Sequence, residues 1–133
     1  MINTKALILL VDDNEDDRML MLRSLKKSDP GAEVVSIASG SEALKYLDDL
    51  DDSPNPTVLL LDLNMPVMSG DEFLDEVSQD ASLGGMTIIV VSTEINAARL
   101  ARVAQSGAKG RLRKPFEPEE LRAIIERTME ASQ

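Results

Sequence analysis

Hydrophobic residues in this chain alternate between short continuous runs and stripes at helical spacing. Ala6 to Val11 reads Ala-Leu-Ile-Leu-Leu-Val, and Val58 to Leu61 reads Val-Leu-Leu-Leu. Thr87 to Val91 is nearly as apolar. Continuous runs of this length predict strands buried on both faces, as in parallel sheets. Glu33 to Ala38, with Val34, Val35 and Ile37, predicts another short strand. Gly110-Arg111-Leu112-Arg113 alternates polar and apolar, as an edge strand does.

The stripes lie between these runs. Arg18 to Lys27 carries Met19, Leu22 and Leu25, and the helix after Ser39 carries Ala43, Leu44 and Leu47. Asp71 to Gln79 turns Phe73, Leu74 and Val77 inward, and Asn96 to Ser106 turns Leu100, Val103 and Ala104 inward. The last helix buries Leu121, Ile124, Ile125 and Met129. Local chemistry marks the ends. Glu15, Asp16 and Asp17 suit the positive end of a helix dipole, and Asp29-Pro30-Gly31 stops that helix. Ser39 and Glu42 have capping-box spacing, while Met68-Ser69-Gly70 reads as a turn. Gly107 fits a C-terminal cap, and Pro118 with Glu119 and Glu120 opens the last helix.

Strand followed by helix, five times over, predicts an α/β fold: a doubly wound, five-stranded parallel sheet with right-handed crossovers. The 133 residues suit a single domain, with no tail long enough for a second.

Composition narrows the chemistry. The chain has no cysteine and no histidine, so thiolate and imidazole ligands, disulfides and histidine bases are all excluded. A formal charge of −10 argues against non-specific nucleic-acid binding. The only aromatics are Tyr46, Phe73 and Phe116, too few for a base-stacking platform. No apolar run approaches membrane-spanning length and no signal segment is evident, so a cytoplasmic protein is expected. The acidic stretch from Asp48 to Pro56 lacks calcium-loop spacing and reads as a solvated loop.

The residues just past the strands carry the functional signal. The first strand ends in Asp12 and Asp13, the third in Asp62, the fourth in Ser92 and Thr93, and the fifth in Lys114. In a parallel sheet these ends share one edge, where ligands bind. Singly, each has an ordinary explanation: a turn or helix cap, helix-start acidity, or a surface lysine. Together, clustered carboxylates call for a cation, and with oxygen donors alone a hard one such as Mg2+ fits best. Lys114 and a hydroxyl beside them suit a phosphoryl group.

Asp12-Asp13, Asp62 with Asn64-Met65-Pro66 and Gly70 behind it, Ser92, and Lys114-Pro115-Phe116 together resemble the receiver domain of two-component response regulators. The resemblance covers essentially the whole chain and implies the flavodoxin-like, CheY-like strand order 2-1-3-4-5, for which the chemotaxis receiver is a standard example. It further implies a stand-alone response regulator without an output domain, not an enzyme acting on other substrates. Asp62 would accept a phosphoryl group from the phosphohistidine of a histidine kinase or a histidine phosphotransfer protein. Mg2+ would be held by Asp13, Asp62 and the main-chain carbonyl of Asn64, with Asp12 acting through water. Lys114 would pair with the phosphoryl oxygens, Ser92 would donate a hydrogen bond to them and move inward, and the Lys114–Pro115 bond would be cis.

Two positions depart from the family pattern. Thr93, between the switch hydroxyl and Glu94, stands where a small residue is usual and can slow access of water or donor. Arg111 replaces the usual aromatic residue, so the familiar hydroxyl–aromatic coupling is not expected; pairing with Glu94 or with a partner's carboxylate is the expected alternative to a solvated side chain. Between Ile95 and Phe116 stand Arg99, Arg102, Lys109, Arg111, Arg113 and Lys114, with no acidic residue. This predicts a protein target, acidic or a second copy, on the face of the fourth helix, fifth strand and fifth helix, with no direct nucleic-acid contact and a monomer or phosphorylation-dependent dimer.

A relay intermediate, a phosphate sink or an unphosphorylated binding module are the neighbouring alternatives. A haloacid-dehalogenase-type phosphohydrolase would need a general acid two residues after Asp62, and Asn64 cannot serve. A P-loop is excluded by the missing glycine-rich lysine motif.

Overall fold

The structure, a computed structural model, describes residues 7–28, 30–50, 58–80, 86–93 and 96–131, with the backbone alone at 28 and 129–131. Strands β1 (Leu7–Val11), β2 (Glu33–Ile37), β3 (Val58–Asp62), β4 (Thr87–Ser92) and β5 (Ala108–Arg113) alternate with helices α1 (Glu15–Ser28), α2 (Gly40–Asp49), α3 (Gly70–Ser78), α4 (Ala97–Gln105) and α5 (Pro118–Ala131). All pairings are parallel, in the order β2-β1-β3-β4-β5. The expected doubly wound α/β fold is therefore present.

The apolar runs are continuous because each central strand feeds two cores. Leu9, Val11, Leu59, Leu61, Ile88 and Val90 pack under α2, α3 and α4. Ile8, Leu10, Leu60, Ile89 and Val91 point the other way, under α1 and α5. In edge strand β5, Leu112 is buried between exposed Arg111 and Arg113.

Four local expectations need correction. In α1 the buried residues are Met21 and Leu25, while Leu22 is half-buried and Met19 is 44% exposed. At 100° per residue, Met19 and Met21 lie on nearly opposite sides of the helix. In α4, Val103 is buried and Leu100 half-buried, but Ala104 is exposed, one step round the helix from Val103. The turn read at Met68-Ser69-Gly70 is also a full capping box: Ser69 Oγ accepts from Glu72 N, and the Glu72 carboxylate accepts from Ser69 N. At Ser39 the hydroxyl accepts from Glu42 N at 3.2 Å, the first half of that device. Gly107 ends α4 with φ at +114°, a conformation that favours glycine. Asp48 and Asp49, read as part of the acidic loop, instead close α2; residues 51–56 of that stretch lie outside the described residues, as does the side chain of Met129. Among the described residues, no helix is long and apolar enough to cross a membrane.

Candidate functional site

The carboxyl ends of β1, β3, β4 and β5 converge as the sequence predicts, and backbone bonds continue the sheet past its last assigned residues. Asp12 N donates to Ile37 O, Leu63 N to Val91 O, and Lys114 N to Ser92 O at 3.0 Å. The side chains at these ends therefore stand on hydrogen-bonded backbone.

Asp12 is fully buried. Its Oδ1 accepts from Asn14 N at 2.9 Å and its Oδ2 from Lys114 Nζ at 2.8 Å. Its carbonyl accepts from Arg18 Nη1 at 2.7 Å. Asp62 is also buried, and its Oδ1 accepts from Asn64 N at 3.0 Å. Asp13 is exposed at the rim. One oxygen from each of Asp12, Asp13 and Asp62 falls within 4.8 Å of the others. Lys114 reaches over them: its Nζ donates to Asp17 Oδ2 at 2.7 Å and lies 3.6 Å from Asp62 Oδ2. The Lys114–Pro115 peptide is cis, as the resemblance implied. Above these groups opens a polar cleft of about 600 Å³, lined among others by Asp13, Asp17, Asp62, Asn64, Thr93 and Lys114.

Burial is the main reason that the Asp62 carboxyl is pushed up to about 6; the Asp12 charge adds to it, while the Asn64 N–H and Lys114 oppose it. Burial alone lowers the Lys114 ammonium, but its bonds to Asp12 and Asp17 carry it above the ordinary lysine value. One ammonium thus faces Asp12, Asp17 and Asp62, and Asp13 clusters with two of these. Oxygen donors so arranged fit a small, hard divalent cation, which relieves that excess of negative charge.

Ser92 is buried, and its Oγ accepts from Asn64 Nδ2 at 3.2 Å. Thr93 is exposed on the cleft wall. Arg111 is exposed on β5; Glu94, one of the alternatives named for it, lies outside the described residues.

Three polar contacts were not anticipated. Asp17, read as helix-start acidity, is a direct partner of Lys114. Arg18 steadies the carbonyl of Asp12. Arg99 in the first turn of α4 reaches the loop behind Asp62: Nη1 donates to Asn64 Oδ1 and Nη2 to Leu63 O, both at 2.8 Å. Its Nε donates to both oxygens of Asp71, at 3.0 and 3.1 Å. The Arg99 hydrogen bond holds the Asp71 carboxyl below its ordinary value. One signal could have singled out Arg99: a cation in the first turn opposes the helix dipole and calls for an anchor.

The loop from β3 to α3 is tight. Met68 N donates to Pro66 O at 2.8 Å, closing a three-residue turn on Val67, whose φ is +66°. Gly70 N donates to Leu63 O at 3.1 Å. A Cβ at Gly70 would lie 2.5 Å from Asp62 O and 2.6 Å from Leu63 Cα, so no larger residue fits without moving the loop.

This arrangement is that of a recognised class. The profile of the response regulator receiver domain matches residues 8–126, and the chain belongs to that family. It is 34% identical to response regulator Rcp1 of Synechocystis over 97 residues, 71% of this chain and 66% of Rcp1. The fold superposes on Vibrio cholerae chemotaxis protein CheY4 with a TM-score of 0.83, at 32% identity, covering 93% of this chain and 98% of CheY4. It also superposes on the phosphorylated cyanobacterial phytochrome response regulator RcpA, with a TM-score of 0.80 and 30% identity, over 95% of this chain and 92% of RcpA.

Proposed function

We propose that this protein is a Mg2+-dependent phosphorylation switch whose acceptor is Asp62. The observation that carries the reading is the placement of the Asp62 carboxylate: buried at a strand end, clustered with Asp12 and Asp13, and 3.6 Å from the Lys114 ammonium. RcpA, a relative, is described in a phosphorylated form. A carboxylate oxygen of Asp62 attacks the phosphorus of a phosphohistidine. The new O–P bond forms as the P–N bond breaks, and the electron pair leaves with the imidazole nitrogen. Lys114 offsets charge on the phosphoryl oxygens, and the Ser92 hydroxyl donates to one of them.

Asp13, Asp62 and the main-chain carbonyl of Asn64 would hold Mg2+. Both Asp12 oxygens already accept hydrogen bonds, which suits an indirect role through water. When bound, Mg2+ supplies neutralisation of charge on the transferring group. The chain itself accepts and releases the phosphoryl group and turns over no other substrate. Both ends of the Asn64 amide are engaged, by Ser92 and Arg99, which further disfavours a phosphohydrolase.

The donor is a histidine kinase or histidine phosphotransfer protein in the cytoplasm. The output is a protein contact on the α4–β5–α5 face, where Arg102, Lys109, Arg111 and Arg113 are exposed and suit an acidic target or a second copy. Intact mass after incubation with acetyl phosphate tests the reading. Wild type should gain one phosphoryl adduct only with Mg2+, and Asp62→Ala none. No adduct on folded wild type, from acetyl phosphate or a cognate kinase, would favour a phosphorylation-independent binding module.

A further inference from the structure

Asp17 stands in the first turn of α1, half-buried on the wall of the polar cleft. Acidic side chains are common at helix starts, and Glu15 and Asp16 need no other account. Asp17 differs from them because it reaches the lysine: its Oδ2 accepts from Lys114 Nζ at 2.7 Å, as Asp12 Oδ2 does at 2.8 Å. Lys114 is the one cation among the described residues that line the cleft. It is already shared among Asp12, Asp17 and Asp62.

The charges decide what this sharing does. When ionised, Asp12, Asp13, Asp17 and Asp62 carry four negative charges, against three positive ones from Lys114 and a bound Mg2+. Without Asp17 the two sets balance. With it the cleft keeps an excess of negative charge, to which exposed Glu15 and Asp16 on the same wall add. A free phosphoryl dianion that enters is repelled. A donor that brings a cation beside its phosphorus is repelled less, and the imidazole of a phosphohistidine does so when its second nitrogen carries a proton. Asp17 and Lys114 also line a neighbouring cavity of about 310 Å³, together with Leu20, Pro115, Phe116 and Pro118. A protein donor gains apolar contact there that offsets the repulsion, whereas a small free donor does not.

We propose that Asp17 is a specificity-determining residue, which sets the site against free dianionic phosphodonors and in favour of donors that carry a cation beside the phosphorus. This rests on Asp62 being the acceptor. The discrimination comes from an added repulsion, one of the two ways in which a site can separate competing ligands.

The test compares labelling rates of the full chain at saturating Mg2+, followed by intact mass. The donors are acetyl phosphate, a dianion at neutral pH, and phosphoramidate, whose nitrogen carries a proton. Asp17→Asn removes the charge, while its amide oxygen can still accept from Lys114. It should gain about tenfold with acetyl phosphate and about threefold with phosphoramidate, because the repulsion scales with the net charge of the donor. Added salt should speed the acetyl phosphate reaction of wild type more than that of the variant. An acetyl phosphate rate that is unchanged or slower, or an equal factor for the two donors, would mean that Asp17 acts only by placing Lys114, and overturns the proposal. Asp17→Ala, which removes charge and tie together, serves if Asp17→Asn does not fold: a ratio of acetyl phosphate to phosphoramidate rates above that of wild type supports the charge role, and an unchanged ratio overturns it. Wild type and variant that take no adduct from either donor or from a cognate kinase would instead remove the acceptor reading and the proposal with it.

Discussion

From Ile8 to Val11, Val58 to Asp62 and Thr87 to Ser92, every residue of the three central strands is buried, whereas β5 and α4 beside them bury only Leu112 and Val103. The first region is held by close apolar packing on two faces. The second buries fewer side chains and adds polar ties to the neighbouring loop and helix, through Arg99 and Ser106. Charge rearrangement at the site can rewrite polar ties but not a packed core. The central strands thus fix Asp12, Asp62 and Ser92, while the α4–β5 flank rests on bonds that can be exchanged.

That contrast can be broken most forcefully in the centre. Leu60→Ala, at a fully buried position, should cost about 2–5 kcal/mol by urea denaturation, against about 1 kcal/mol for Leu100→Ala on half-buried α4. Comparable losses at the two positions would show that α4 is packed as firmly as the core. Next comes Gly70→Ala, which forces a methyl against the backbone of Asp62 and Leu63. It should cost about 1–3 kcal/mol, and acetyl phosphate labelling should slow by about tenfold or more as the loop shifts.

Asp71→Asn probes the flank. It should cost about 1 kcal/mol at neutral pH by removing a charge-assisted partner of Arg99. The Asp71 carboxyl titrates below its ordinary 3.8 in the folded protein. Its contribution is therefore present above about that pH and is lost as pH falls through the folded value. The stability gap between wild type and variant should hold down to about pH 4 and close below it; a gap that persists in stronger acid would mean that the carboxylate charge is not what matters. The smallest effect is a gain. Val67 is a β-branched residue at positive φ, fully exposed, so Val67→Asn should add about 0.5–1 kcal/mol to stability without altering labelling.

Much of this was legible because it is local in the chain. Continuous apolar runs mark strands with two buried faces, and the residue that ends each run needs only the sheet's polarity to be placed at a common edge. Asp12, Asp13, Asp62, Ser92 and Lys114 were found in that way. The misreadings are of two kinds. Met19, Leu20, Met21 and Leu22 are consecutive, so the pattern admits more than one buried stripe, and only packing against α5 and the sheet selects Met21. The contacts of Arg99 with Asp71 and of Lys114 with Asp17 join residues 28 and 97 positions apart, and no local periodicity encodes them.

The bond from Lys114 to Asp12 spans 102 positions and links the end of the first strand to the end of the last. During synthesis Asp62 emerges about halfway through these residues, but the lysine emerges only when β5 has been made. A nascent or truncated chain ending before that strand therefore carries a complete set of carboxylates and no ammonium to oppose them. The charge balance of this cluster of side chains is therefore completed only when β5 is in place.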